Sequence, residues 1–434
     1  MHVRRLVTAL FGLAVARAGP RPVTWSEPTA FDQDSDRSAS SRGRPADGGM
    51  PAIAEVRLKG GPGSRQGFST ADWQMHIGYC LAMTDGRSPV QSKDWSALTE
   101  RTLAEVKTCA SIYRPTNFWD VGLDKILHDM DTLGLERFKS WPTSGAWFYP
   151  RYGNGFSNAS IGVAYEAALQ ANPRANKNWV TSALNGAFEA RRDYDVAGIC
   201  WNQDRWPANL DDFGESPVGT PPQAYGLSLT EGVRFGRPYL NYLIVMAALS
   251  NHVDTPPKSF LEIGGGFGVL GEIVLSRDPE ARYVDIDIPP LITVSSFYLT
   301  ELFGRDRIQV YDGSIADSGA IEVKGSAVIP SWRLEDVQSD FDVFVNSFSF
   351  QEMEPEVVDN YIDKVCAKGV KYAVSLNSKL GTVKAQKAGE WGSLQPVTSA
   401  DILNGFEKRG YTLIGQYGDP LVHGGRQLNV LKRK

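Results

Sequence analysis

Clustered cysteines are missing from this chain. Its 434 residues contain 4: Cys80, Cys109, Cys200 and Cys366, with no CxxC or CxxH spacing. That excludes a zinc framework and a disulfide-stapled small fold, and it reads as free, reduced thiols. Histidine is scarce as well, 5 in all, and neither a two-His-one-carboxylate pattern nor HxxxH occurs, so the sequence points to no metal. Charge of one sign is not in excess either. A formal net charge of −5 without a basic stripe gives no electrostatic grip on a nucleic-acid backbone. No run is long and apolar enough to span a membrane, and no internal repeat is visible.

The composition that remains, 42% hydrophobic and 22% charged, is that of a globular protein. The length exceeds one ordinary core, so two folded regions plus disordered sequence are expected. Arg4 and Arg5 precede an apolar run, Leu6 to Ala16, and Ala16-Arg17-Ala18 resembles a cleavage site. A targeting peptide, a transit-like leader and an over-extended gene start all fit that pattern. Residues 19 to about 70 are rich in Gly, Ser, Pro, Asp and Arg. They have too little apolar surface to offset their ordering entropy, so 1–70 is expected to be a disordered tail.

From 71 to 255 the periodicity is mainly helical. Helices are expected over Trp95–Tyr113, Phe118–Leu135, Ile161–Gln170, Val180–Arg191 and Tyr239–Leu249, the last buried because it is nearly all apolar. After Pro256-Pro257 short β-branched runs alternate with helical stretches. Strands are expected at Ser259–Ile263, Arg282–Ile286, Arg307–Tyr311, Asp340–Ser347 and Val370–Leu376, with helices between them. Alternation of this kind predicts a parallel, doubly wound α/β sheet. Two final runs, Tyr411–Tyr417 and Gln427–Lys432, flank a Gly-rich connection and read as an antiparallel hairpin. A parallel sheet finishing in such a hairpin is the Rossmann-like layout of class I methyltransferases, expected over 256–434.

The most informative stretch runs from Ser259 to Gly268. An apolar strand leads into Glu262, then Gly264, Gly266 and Gly268. Glycine suits a tight strand-to-helix turn whose backbone must approach a ligand, and the following helix N-terminus offers free N–H groups to a carboxylate. Glu262 is expected to place negative charge near the ammonium and sulfonium of S-adenosylmethionine. Gly266-x-Gly268-x-x-Gly271 also fits a dinucleotide fingerprint, with Asp287 at a suitable distance. Glu262 at the strand end, the position of the unit in the chain and the terminal hairpin favour S-adenosylmethionine over NAD. Asp287 is the expected ribose ligand, with Asp285 on the same strand face as the fallback. Asp312 is placed to meet the adenine edge, or is simply a turn residue.

In an open α/β sheet the ligand crevice lies outside the strand C-termini, so Asn346 to Glu352 should border the transferred methyl. The sequence there, Asn-Ser-Phe-Ser, lacks the Asn/Asp-Pro-Pro-aromatic pattern of many nucleobase and amide methylases. Glu352 reads as a general base, or as a carboxylate favoured by a helix N-terminus. His423, in the final loop, is a second candidate base or a solvated side chain.

These residues resemble the sugar O-methyltransferases. Leu261–Gly268, Asp287-Ile-Pro289 and Val345–Met353 carry the likeness, and Phe118-Trp119, Phe138-Lys139 and Glu215–Gly219 extend it upstream. It covers roughly 92 to 432. The resemblance implies S-adenosylmethionine as donor and a hydroxyl of a sugar or glycosylated small molecule as acceptor. The region 71–255 would cover the site, and Trp119, Trp141 and Trp147 would serve either as stacking platforms or as core. A cytosolic donor implies a cytoplasmic enzyme. An NAD-dependent oxidoreductase and a non-catalytic cofactor-binding protein are the alternatives.

Overall fold

The computed structural model describes residues 89–434 except 154–157, 173, 175–180, 183, 420 and 423. The expected tail and leader, Cys80 and His423 lie outside the described residues. The longer helices among those residues are α1 Pro89–Thr108, α2 Asn117–Leu133, α3 Asn158–Ala171, α4 Ala187–Cys200, α5 Arg237–Ser250, α6 Val269–Arg277, α7 Leu291–Phe303, α8 Pro355–Ala367 and α9 Ser399–Glu407. The strands are β1 Ser259–Ile263, β2 Arg282–Asp287, β3 Ile308–Val310, β4 Ser326–Pro330, β5 Val343–Ser347, β6 Tyr372–Ser378, β7 Tyr411–Tyr417 and β8 Arg426–Arg433.

The eight strands among the described residues join one sheet in the order β3-β4-β2-β1-β5-β6-β8-β7. The pairs up to β5–β6 are parallel, and β6–β8 and β7–β8 are antiparallel. This is the class I methyltransferase layout expected from the sequence, with one departure. Ser326–Pro330 was not anticipated as a strand, yet it pairs directly with β2 and pushes β3 to the sheet edge. Only five residues long, bounded by Ser and Pro, it carries a weak β signal of its own. It is held by neighbours on both sides and is wholly buried.

A second departure concerns α4. The helix expected at Val180–Arg191 is broken in two: Thr181, Ser182 and Leu184 are helical, Asn185 and Gly186 form a turn, and α4 then runs on to Cys200. Gly186 at its N-cap has φ +84°, a left-handed turn that fixes the helix start there. Every described residue of α5 from Pro238 to Ser250 is buried, as expected for a helix apolar on all sides.

The helices before residue 255 share a core with the sheet. Trp95 of α1 packs edge-on against Phe297 of α7, and Thr99 and Thr293 share a hydrogen bond of 2.8 Å. Lys139, fully buried, pairs with Glu215 at 2.9 Å and donates to the Tyr298 hydroxyl at 3.0 Å. Burying an ammonium is costly unless it is paired and hydrogen-bonded, and here it is both. Cys109, Cys200 and Cys366 are free thiols. Among the described residues no helix is long and apolar enough to cross a membrane.

Candidate active site

A cavity of about 230 Å³ opens at the C-terminal edge of the parallel strands, where the crevice of an open α/β sheet belongs. Its floor is the β1–α6 turn. Gly264 has φ +74°, and a Cβ there would run into Ser349. Gly266, at φ +67°, has open space on its side-chain face, the nearest atom to an added Cβ being that of Phe148 at 3.8 Å. The loop therefore presents bare backbone to the cavity, as a ligand cradle requires.

Asp287 stands beside this loop and lines the cavity. One carboxylate oxygen accepts from Gly266 N at 2.9 Å and the other from Ile288 N at 2.7 Å. Burial raises its pKa, and the neighbouring Asp285 raises it further. Asp285 lies behind the loop. It accepts from Gly265 N at 3.1 Å and from Ser295 at 2.8 Å, so it braces the turn, while Asp287 faces the cavity.

Glu262 departs from expectation. Its carboxyl is fully buried and does not line the cavity. Tyr242 and Tyr283 donate to its two oxygens at 2.5 and 2.6 Å. The strand register sets it directly beside Asp285. Burial, with Asp285 adding to it, pushes the Glu262 pKa to about 8, against the two tyrosine hydroxyls that lower it. Its contact with the cavity is indirect, through Tyr242, which lines it.

Asn346 and Asp312 also sit elsewhere than expected. Asn346 is fully buried behind the cavity wall. Its amide donates to Ile263 O at 3.1 Å and Ser349 Oγ at 2.6 Å, and it accepts from Asn377 at 2.9 Å. It ties the end of β5 to the end of β1. Asp312 is exposed and caps the short helix Gly313–Ala316 through a bond from Ser314 N at 2.9 Å. It lies at the end of β3, and β4 stands between that strand and β2. The cavity is lined instead by Ser331, just past β4. The misplacement of Asp312 follows from the overlooked strand.

The remaining wall brings together Ser347–Ser349, Gln351 and Glu352 after β5 with Trp119 and Trp147 from the helical region. Phe348 has φ +70°, a strained backbone that costs about 1–3 kcal/mol and tends to mark functional sites. Glu352 lines the cavity, and burial pushes its pKa to about 8, opposed by the Trp119 indole N–H. Thr116 fixes the backbone by donating to Glu352 O at 2.9 Å. Trp147 packs against Trp119 and Trp391, with ring centroids 5.3 and 4.8 Å apart, while Trp141 is fully buried in the core. His252, half-buried, hydrogen-bonds Tyr417 at 2.7 Å outside the cavity. Among the described residues no three His, Cys, Asp or Glu side chains are grouped as a metal site would need.

Sequence reasoning missed Tyr242, Asn241 and Arg426, all of which line the cavity. Their signal is purely tertiary: a polar face on an apolar helix and an arginine at the start of a hairpin strand.

No family model matches the chain, and no curated protein sequence matches it. Solved structures do resemble it remotely. The pyocyanin biosynthetic protein PhzM is 16% identical over 45% of this chain and 58% of its own, with a TM-score of 0.30. The mitomycin 7-O-methyltransferase MmcR is 14% identical over 74% of this chain and 70% of its own, with a TM-score of 0.32. Human N-acetylserotonin methyltransferase, solved with SAM, is 9% identical over 41% and 48%, with a TM-score of 0.27. The matched part thus spans little more than half of PhzM. Likenesses this remote leave the function to be read from the site itself.

Proposed function

We propose that this protein is an S-adenosylmethionine-dependent O-methyltransferase whose acceptor is a hydroxyl of a sugar or glycosylated small molecule. The observation that carries the reading is the meeting of the bare-backbone loop at Gly264–Gly266, the Asp287 carboxylate and Glu352 in one cavity. The residues present fit the donor. Asp287 would hold ribose hydroxyls, and Ile288 and Leu291 offer an apolar flank for a base. The open face at Gly266 and the N-terminus of α6, where Val269 lines the cavity, would receive the methionine end.

S-adenosylmethionine supplies a methyl group already activated on a sulfonium. The chain's own task is then positioning and proton removal, and positioning dominates. Glu352 would accept the acceptor hydroxyl's proton on a carboxylate oxygen, its raised pKa making it a stronger base once ionised. Trp119 and Trp147 would hold the apolar face of a sugar ring against that carboxylate. The motif resemblance to sugar O-methyltransferases supports the acceptor class.

The test is methyl transfer from labelled S-adenosylmethionine to a panel of monosaccharides, nucleotide sugars and glycosylated metabolites. Transfer to a sugar hydroxyl that needs Glu352 supports the reading. Transfer confined to phenolic or amine acceptors would replace the acceptor class.

A further inference from the structure

We propose that Arg426, together with Asn241, forms a subsite for an anionic group, a carboxylate or a phosphate, carried by the methyl acceptor. The inference rests on the methyltransferase reading above and narrows its substrate class.

Arg426 opens β8 and lines the cavity, with its guanidinium over the Phe348 ring at 4.7 Å. Among the described residues that guanidinium donates no hydrogen bond and forms no ion pair, although burial and the nearby Arg237 charge lower its pKa to about 10. The carboxylate in its field is Asp193, which is already engaged. It accepts from Tyr152 Oη at 2.7 Å and pairs with Arg192 at 2.6 Å. Arg192, Arg237 and Arg426 thus share one carboxylate. Arg237 itself keeps a buried Nε without a partner. A desolvated cation left unpaired in a cavity is a site for an anion, because charge-assisted bonds to guanidinium are strong and fork-shaped.

Asn241 supplies the second observation. It is only 7% exposed, it lines the cavity beside Arg426, and its side chain makes no hydrogen bond among the described residues. Its amide is open to the cavity rather than sealed in the core, which leaves it free to bond a ligand there. It lies in the first turns of α5, whose N-terminus adds positive potential.

The position favours the acceptor over the methionine carboxylate. The strand order β1-β5-β6-β8 sets Arg426's strand three places from the glycine turn, about 14 Å at the usual strand spacing. Phe348, which Arg426 covers, follows β5, where the transferred methyl would lie.

The experiment is isothermal titration of inorganic phosphate and of acetate into the full-length protein saturated with S-adenosylhomocysteine. Glucose 1-phosphate, glucuronate and glucose follow. An anion should bind. Its dissociation constant should rise about tenfold or more in Arg426→Gln, rise severalfold in Asn241→Ala and recover in part in Arg426→Lys. Affinity for S-adenosylhomocysteine should stay within about twofold, which also shows that the variants fold. Preference for glucose 1-phosphate identifies a phosphorylated acceptor, and preference for glucuronate a sugar acid. The proposal is overturned if neither anion binds, if Arg426→Gln leaves anion affinity unchanged, or if glucose binds as well as its anionic forms. A tenfold loss of S-adenosylhomocysteine affinity in Arg426→Gln would overturn it too, making Arg426 a cofactor ligand. A chain that binds no S-adenosylhomocysteine fails the methyltransferase reading instead, and phosphate titration of the unliganded chain still decides whether Arg426 is an anion site.

Discussion

Glu352, Glu262 and Glu272 owe their behaviour to burial more than to partners. Glu352 has a pKa pushed to about 8 in the cavity, so as a general base it is active in its deprotonated form. Methyl transfer should therefore rise with pH through a limb near 8. Glu352→Gln should abolish that limb and lower kcat/KM by about 10²–10⁴, with S-adenosylhomocysteine affinity unchanged by titration calorimetry. An unaltered pH profile in the variant would remove Glu352 from the chemistry. Away from the acceptor end, Glu262, at about 8, and Glu272, at about 7, are buried acids raised above their unfolded values. Such groups favour folding most below their unfolded pKa, and that contribution is lost as pH rises through the folded value. The unliganded protein should lose thermal stability between about pH 5 and 8. Glu262→Gln should remove its share of that slope, on the order of 5 °C across the window. A melting temperature that climbs over that range would contradict the burial account.

At the scale of elements, the cavity depends on how the turn after β1 meets the turn after β5. Gly264 touches Ser349, and Asn346 pins both strand ends. Gly264→Ala meets strain from its positive φ and a clash with Ser349, and should weaken S-adenosylhomocysteine binding at least tenfold, roughly 1.4 kcal/mol. Asp287→Ala should do the same, while Asp312→Ala should leave affinity within about twofold. Comparable losses in both Asp variants would restore Asp312 to the site. The glycine turn, the placement of Asp287 and Glu352 at the cavity and seven of the eight described strands were legible because periodicity and turn chemistry are local signals. Ser326–Pro330 was not, since its stability as a strand comes from β2 and β3 on either side. That single omission also misplaced Asp312. Glu262 was legible as a position but not as a role, because Tyr242 and Tyr283 reach it from 20 and 21 residues away.

Over the whole molecule, helices from before residue 255 and loops of the sheet close one cavity between them. Trp119, Trp147, Asn241 and Tyr242 come from the helical part, and Gly264–Gly266, Asp287 and Glu352 from the sheet. The sequence pattern separates these parts, yet Thr99–Thr293 and Lys139–Tyr298 join them through buried hydrogen bonds. The donor end of the proposed reaction is therefore built by the sheet, and the acceptor end by both parts, Glu352 and Arg426 from the sheet and Trp119, Trp147 and Asn241 from the helices. The most direct test of the central claim is isothermal titration of S-adenosylmethionine, S-adenosylhomocysteine and NAD into the full-length protein. A methyltransferase site should bind the first two at micromolar concentration and give no heat with NAD. Binding of NAD alone would contradict it and turn Gly266–Gly271 into a dinucleotide fingerprint.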